Sequence, residues 1–272
     1  MCGFAGFVGE VENREQVLEN MIDTIIHRGP DSSGKFVDED AALGFRRLSI
    51  IDLSESGDQP LYNEDRSKVL VFNGEIYNYQ ELREELIQAG HTFVSNTDSE
   101  TLIHGYEQWG EELVYRLRGM YAFAIWDQKA KRLFSARDIF GIKPLYYAQM
   151  NGTLMFGSEI KSFLEHPKFD KVFNEDALGN YLSFQFVPTN ETFFKGVFCV
   201  QPGHYFVYEN GKMTIKRYFE PNFTGDTTKS FEEVVDDIEK VMKESVEMPT
   251  QVHIVMSMYR KPVIKMQTEI HR

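Results

Sequence analysis

Apolar residues recur every three to four positions along several stretches of the chain, and this spacing predicts amphipathic helices. The first covers Asn13–His27, where six apolar side chains would share one face, and Gly29-Pro30 ends it. The same period marks residues 80–90 and 97–109, and residues 158–166 read as a short helix. Ser230–Val246 is predicted as a further helix that begins with a capping box, Ser230 with Glu233.

Short apolar runs bounded by turn residues lie between these helices and predict strands, among them "AALGFRRLSIID", "KVLVFNGEIYN" and "MYAFAIWD". Two Asn-Gly pairs, Asn151-Gly152 and Asn210-Gly211, predict tight hairpin turns between adjacent strands. Hairpins and helices are mixed without strict alternation of strand and helix. This order predicts an α+β fold in which helices cover antiparallel sheets.

Composition and charge restrict the classes of function that the chain can have. The 272 residues carry a net charge of −13, which argues against a nucleic-acid surface and favours a small substrate. The two cysteines, Cys2 and Cys199, cannot form a disulfide framework, and no CxxC or HxxxH spacing predicts a metal site. No signal sequence or membrane span is recognisable, so we expect a soluble, cytoplasmic protein.

The opening segment "MCGFAGFVG" allows three interpretations. A phosphate loop is disfavoured, because the spacing of Gly3, Gly6 and Gly9 is neither the dinucleotide fingerprint nor a P-loop, and no strand precedes it. A buried structural cysteine is the second interpretation, since unpaired cysteine is among the most buried residue types. The third makes Cys2 an N-terminal nucleophile.

The third interpretation depends on the removal of Met1, which a small second residue generally permits. Cys2 would then carry an α-amino group with a reference pKa of roughly 7.7–8.0 beside a thiol of about 8.5. Because the two values are close, the amine can take the proton of the thiol near neutral pH, and no histidine partner is needed. If Met1 stays, the nitrogen is an amide and this base is lost.

Three further segments offer groups for an acyl-transfer site, each with a structural alternative. Asn73 and Gly74 could donate hydrogen bonds to an oxyanion, or form a hairpin turn. Arg46 and Arg47 lie in a predicted strand, so one points to each face; they could be a surface pair, or the inward arginine could meet a carboxylate from the protein or a ligand. Asp98 could cap a helix or hold an ammonium group.

Eight segments in order, taken together, match a known family: "MCGFAGFVG", "HRGPDSSG", "RLSIID", "NGEIYNYQELR", "TDSE", "YAFAIWD", "ARDIFGIKPLYY" and "FGSEIK". Over roughly residues 1–210 the chain resembles the class II, N-terminal nucleophile glutamine amidotransferases. The resemblance is strongest to the glutaminase half of glutamine-dependent asparagine synthetases.

This resemblance implies a four-layer αββα fold and hydrolysis of L-glutamine to glutamate and ammonia through a thioester on Cys2. It implies an oxyanion hole formed by Asn73 and Gly74. Arg47 would hold the α-carboxylate of the substrate. The other substrate-binding residues that it implies are Leu48, Ser49, Ile51, Glu75 and Asp98.

The chain departs from the family after the glutaminase region, because no S-G-G-x-D-S loop of an ATP-dependent synthetase domain is present. We expect residues 1–220 to be the glutaminase domain, 221–247 a linker and lead-in helix, and 248–272 an atypical basic tail of a truncated or frameshifted gene product. The glutaminase needs no cofactor, and ATP and Mg²⁺ belong to the missing domain. A synthetase chain could receive the ammonia. The alternatives are a non-hydrolysing glutamine-binding or regulatory partner and an inactive fragment.

Overall fold

A computed structural model describes residues 2–48, 58–224 and 228–246. The chain divides into two compact units, Met1–Glu220 and Pro221–Arg272. Within the described ranges no helix is long and apolar enough to cross a membrane. The expected basic tail at 248–272 lies outside the described residues.

The first unit is built from strands and helices in mixed order. Its strands are β1 (Gly3–Val8), β2 (Ser32–Val37), β3 (Ala41–Arg47), β4 (Leu61–Tyr62), β5 (Lys68–Ile76), β6 (Gly119–Asp127), β7 (Arg132–Arg137), β8 (Tyr146–Met150), β9 (Thr153–Gly157), β10 (Val197–Cys199), β11 (His204–Glu209) and β12 (Lys212–Arg217). Its α-helices are α1 (Arg14–Asp23), α2 (Tyr79–Gln88), α3 (Asp98–Trp109) and α4 (Glu175–Phe184). Within the described residues, 3-10 helices cover Ile26–Arg28, Gly110–Tyr115 and Ile160–Glu165.

These strands form two six-stranded antiparallel sheets. One has the order β10-β8-β9-β1-β3-β2 and the other β12-β11-β7-β6-β5-β4. Strand β1 is central in the first sheet, with Gly3 opposite Arg46 of β3 and Val8 opposite Leu154 of β9. Its six residues are all buried, because both of its faces are covered.

Three apolar clusters separate four layers. The first lies between the two sheets and includes Phe4 of β1 and Trp126 of β6. The second packs β5, β6 and β7 against helices α2 and α3 through residues such as Phe123 and Leu102. The third packs the other face of β1 against α1, where Phe7 meets Leu18. The result is the predicted α+β architecture of two antiparallel sheets between helices.

The predicted elements are found with small changes in their limits. The helix predicted over Asn13–His27 is α1 followed by the 3-10 helix Ile26–Arg28. Both predicted hairpin turns are confirmed: Asn151 and Gly152 have φ values of 49° and 75°, and Asn210 and Gly211 have 51° and 74°. In the second unit, residues 231–246 form a helix. Its capping box is present, since the backbone N–H of Glu233 donates to Ser230 Oγ at 3.2 Å.

Candidate active site

Cys2 stands directly before β1 and is half-buried. Its Sγ accepts the backbone N–H of Leu48 at 3.4 Å, and the carbonyl oxygen of Leu48 lies 3.7 Å from the same sulfur. The contact arises because Leu48 follows β3, which pairs antiparallel with β1. The sulfur is therefore held at the end of a central strand, beside the backbone that leads away from β3.

Arg28 lies against the backbone of Cys2. Its Nε–H donates to the carbonyl oxygen of Cys2 at 2.9 Å, and its Nη1 donates to Glu159 Oε1 at 3.0 Å. Gly3 allows this approach, since a Cβ there would lie 2.8 Å from Cδ of Arg28, and Gly29 lies against β3, where a Cβ would be 2.4 Å from the carbonyl oxygen of Arg46. The segment "HRGPD" thus fixes the amino end of β1. The sequence analysis gave it no chemical role, although the motif itself was a signal.

Asn73 and Gly74 lie inside strand β5, opposite Ala122 and Tyr121 of β6. The hairpin-turn alternative for this Asn-Gly pair is therefore wrong. Gly74 permits close contact with β6, because a Cβ there would lie 2.3 Å from the carbonyl oxygen of Met120. Among the described residues the amide Nδ2 of Asn73 has no hydrogen-bond partner, and the residue is only 2% exposed. A buried amide N–H group without a protein partner is suited to donate a hydrogen bond to an acceptor atom of a ligand.

Asp98 is the first residue of α3, and Thr97 occupies the N-cap position. Its Oδ2 accepts the backbone N–H of Ile76 at 2.9 Å, so the carboxylate joins the start of α3 to the end of β5. Burial raises the pKa of Asp98 to about 6, and the negative charge of Glu75 adds to the increase. Asp98 and Glu75 thus form a pair of carboxyl groups at one end of β5.

Lys143 connects the two ends of the site electrostatically. It is buried, and burial lowers the pKa of its ammonium group. The negative charges of Glu75 and Asp138 oppose that decrease, whereas the positive charge of Arg28 adds to it. Arg28, which contacts the backbone of Cys2, and Glu75 of β5 therefore act on the same lysine. The sequence analysis quoted Lys143 within "ARDIFGIKPLYY" but assigned it no role.

The two adjacent arginines of β3 point to opposite faces, as predicted. Arg46 donates from Nε to the carbonyl oxygen of Ile22 at 3.2 Å, on the α1 side. Arg47 pairs through Nη1 with Asp58 Oδ1 at 2.7 Å. The carboxylate expected beside the inward arginine is thus present in the protein itself. Two candidates on the same stretch, Ser49 and Ile51, lie outside the described residues.

The two layered antiparallel sheets, with a cysteine at the amino end of a central strand, are the architecture expected from the sequence. Residues 1–219 match the family model of the glutamine amidotransferase domain. The chain belongs to this glutamine amidotransferase family.

Named relatives agree with this placement. The chain is 44% identical over 252 residues to asparagine synthetase [glutamine-hydrolyzing] 1 of Bacillus subtilis, a match that covers 90% of this chain and 39% of the relative. It is 34% identical to asparagine synthetase [glutamine-hydrolyzing] 3 of the same organism, covering 90% of this chain and 41% of the relative. The chain thus spans about two fifths of the length of these proteins.

A solved structure supports the fold. Glutamine phosphoribosylpyrophosphate amidotransferase from B. subtilis, complexed with ADP and GMP, superposes with a TM-score of 0.60 at 21% identity. The match covers 81% of this chain and 50% of that one. At this identity the likeness concerns the arrangement of the sheets and helices.

Proposed function

We propose that this chain hydrolyses L-glutamine to glutamate and ammonia, with Cys2 as the nucleophile. The observation that carries the proposal is the position of the Cys2 thiol at the amino end of β1, held by the backbone of Leu48. Membership of the glutamine amidotransferase family supports the choice of substrate.

In the proposed reaction, the α-amino group exposed by the loss of Met1 takes the proton from the thiol of Cys2. The sulfur attacks the carbonyl carbon of the glutamine side chain, and the resulting oxyanion accepts hydrogen bonds from Asn73 Nδ2 and the backbone N–H of Gly74. The amine returns its proton to the departing nitrogen, so ammonia leaves and a thioester remains. Water then attacks the thioester, which releases glutamate and restores the thiol.

The charged groups around the site suit a zwitterionic substrate. We assign Arg47 to the α-carboxylate of glutamine, which would share the guanidinium group with Asp58 Oδ1, because that group offers five N–H donors in a planar fork. Glu75 and Asp98 are assigned to the α-ammonium group. Backbone groups of Leu48, together with Ser49 and Ile51 beyond the described residues, would line the same pocket. Arg28 and Lys143 would position Cys2 and the carboxyl groups.

The ammonia acceptor is proposed from the relatives. Two of them are named as glutamine-hydrolysing asparagine synthetases, and this chain covers 39% and 41% of their lengths. We propose that the ammonia passes to a synthetase domain or chain that activates a carboxylate. That partner would use ATP and Mg²⁺, whereas the glutaminase reaction described above calls for no cofactor.

Replacing Asn73 with alanine tests the proposed reaction. We expect kcat for glutamate and ammonia release to fall by about 10²–10³-fold with little change in KM, because this amide acts mainly on the oxyanion. A coupled glutamate assay measures both constants. The matched control is Asn20→Ala, which removes an exposed amide on α1 and leaves kcat unchanged. An Asn73→Ala chain that turns over at the normal rate would remove the oxyanion assignment.

Glutamine binding is expected to depend on pH through Asp98, whose pKa is about 6. Below that pH the carboxyl group is protonated and cannot pair with the α-ammonium group, so KM should rise about tenfold per pH unit. Asp98→Asn should give a high KM without this dependence. The control Asp176→Asn, an exposed carboxylate of α4, should behave as the unsubstituted chain does.

Asp98 affects the free energy of unfolding with a different pH dependence from the one expected for KM. The folded pKa of Asp98 lies above the ordinary value of 3.8, so the folded state binds more protons between about pH 4 and 6. The contribution of Asp98 to stability is therefore complete below that window and is lost as the pH rises through it. A KM that stays constant between pH 7 and about pH 5 would contradict the assignment of Asp98.

A further inference from the structure

A cluster of two histidines and a glutamate lies on the outer helix layer, at the far end of α3 from Asp98. His104 and Glu107 stand three residues apart on α3, and His91 comes from the segment that joins α2 to α3. The atoms that could serve as metal ligands all lie within 4.8 Å of one another. Glu107 Oε2 is 3.2 Å from His104 Nδ1 and 3.9 Å from His91 Nδ1. Both Nδ1 atoms thus converge on one carboxylate oxygen.

The opposite nitrogen of each imidazole faces an acceptor. His104 Nε2 lies 3.6 Å from Glu100 Oε1, and His91 Nε2 lies 3.1 Å from Gln108 Oε1. Glu100 is itself held in place, since its Oε2 accepts the backbone N–H of Ser95 at 2.7 Å. An acceptor on Nε2 can keep the proton there, so that a bound ion would displace only the Nδ1 proton that His104 shares with Glu107 Oε2 in the ion-free protein. Such outer partners are typical of metal-binding histidines.

The remaining contacts orient the glutamate and supply negative charge. Asn63 Nδ2 donates to Glu107 Oε1 at 2.7 Å, which leaves Oε2 turned toward the two histidines. A further carboxylate oxygen, Oε1 of Glu64, lies 3.9 Å from His104 Nδ1 and could become a fourth ligand. Lys68 Nζ is 3.8 Å from Glu107 Oε1, on the side away from the imidazoles.

We propose that His91 Nδ1, His104 Nδ1 and Glu107 Oε2 bind a divalent transition-metal ion of the Zn²⁺ type, with Glu64 or water in the fourth position. Two imidazoles and one carboxylate suit Zn²⁺, whereas Ca²⁺ and Mg²⁺ prefer oxygen ligands alone. Ligand distances of about 2.0–2.2 Å place tetrahedral ligand atoms roughly 3.3–3.6 Å apart. The observed separations of 3.2 and 3.9 Å lie near this range, and all three ligand atoms lie within 4.8 Å of one another, so the side chains would move closer together on binding an ion.

The ion would fix the connection between α2 and α3 to the helix that begins with Asp98. Its role is structural, because the cluster lies about 9 Å along the helix axis from that residue, six positions at 1.5 Å each. No metal site was expected from the sequence, because it contains no CxxC or HxxxH spacing. One of these ligands comes from outside the helix that holds the other two, and no such motif contains them.

The test uses the full chain carrying Cys2→Ala, so that an N-terminal thiol and amine cannot bind zinc and the proposed glutaminase activity has no influence on the result. The protein is stripped with a chelator and titrated with Zn²⁺ against a competing chelator, and Co²⁺ is added to a second sample. We expect one equivalent of Zn²⁺, a rise in melting temperature, and the intense visible absorption of tetrahedral Co²⁺.

Ligand variants decide the assignment. His91→Ala and Glu107→Gln remove half-buried side chains, so the fold is retained while Zn²⁺ affinity falls on the order of 100-fold or more. Gln108→Ala should weaken binding by about 10–100-fold, as loss of an outer partner does. His204→Ala, a histidine outside the cluster, should have no effect. Absence of a stoichiometric site, or equal affinity in His91→Ala, would overturn the proposal.

Discussion

Replacing Cys2 with alanine is expected to abolish glutamate release, with a fall in kcat of roughly 10⁴-fold or more. The reason is that the sulfur forms the thioester in the proposed reaction, and alanine offers no nucleophile at this position. The structure leaves room for the substitution, because Cys2 is half-buried and its two hydrogen-bonding contacts go to the backbone of Leu48. A discontinuous glutamate assay over long times measures the residual rate.

Cys199 provides the matched control for this experiment. It is the other cysteine of the chain, it lies in β10, and its Sγ accepts a hydrogen bond from Arg137 Nη1 at 3.0 Å. Cys199→Ala should retain glutaminase activity, and an alkylating analogue of glutamine should label Cys2 alone. Sustained glutamate release by Cys2→Ala would contradict the thioester mechanism. Tight binding of glutamine without turnover by the unsubstituted chain would instead favour a glutamine-binding role.

Blocking the α-amino group is expected to lower kcat nearly as much as Cys2→Ala does, although the thiol stays intact. A chain with one extra residue between Met1 and Cys2 keeps the sulfur but converts the adjacent nitrogen to an amide. A general base typically contributes about 10²–10⁴-fold, and here it must also protonate the departing ammonia. We therefore expect kcat to fall by a factor in the upper part of that range. N-terminal sequencing and intact mass establish the state of each preparation.

The control for the blocked chain is its own processed form. If the added segment carries a protease site that ends directly before Cys2, cleavage should restore the full rate without any change elsewhere. Equal activity before and after cleavage would show that the α-amine is not the base. Such a result would leave the nucleophile assignment in place, since it concerns only the origin of the proton acceptor.

Much of the fold follows from local patterns, and the Asn-Gly pairs show where those patterns stop being sufficient. Asn151-Gly152 lies between strands β8 and β9 and forms a turn in which both residues have a positive φ. Asn73-Gly74 is the same dipeptide, yet it continues β5, because β6 pairs with it along the whole strand. Helix α4 was not among the predicted elements, although Ala177, Leu178, Tyr181 and Leu182 have helical spacing; of its ten residues only Ala177 is buried.

The candidate site shows a similar division. Cys2 and Asp98 could be selected from their positions beside predicted elements, and Asn73 from its chemistry. Arg28 and Lys143 could not, because their contacts depend on packing between distant segments. Arg28 reaches Cys2 across 26 positions of the chain and Glu159 across 131. Such pairings are properties of the sheet order, which no short window of sequence contains.

The central position of β1 has a consequence for biosynthesis. Its neighbour β3 leaves the ribosome early, whereas its other neighbour, β9, begins at Thr153. At translation rates of about 5–20 residues per second, the interval between the two is roughly 5–25 s. Throughout that time β9 cannot yet pair with β1. If Cys2 is the nucleophile proposed above, this interval is when an aminopeptidase could remove Met1 before the second edge of β1 is covered.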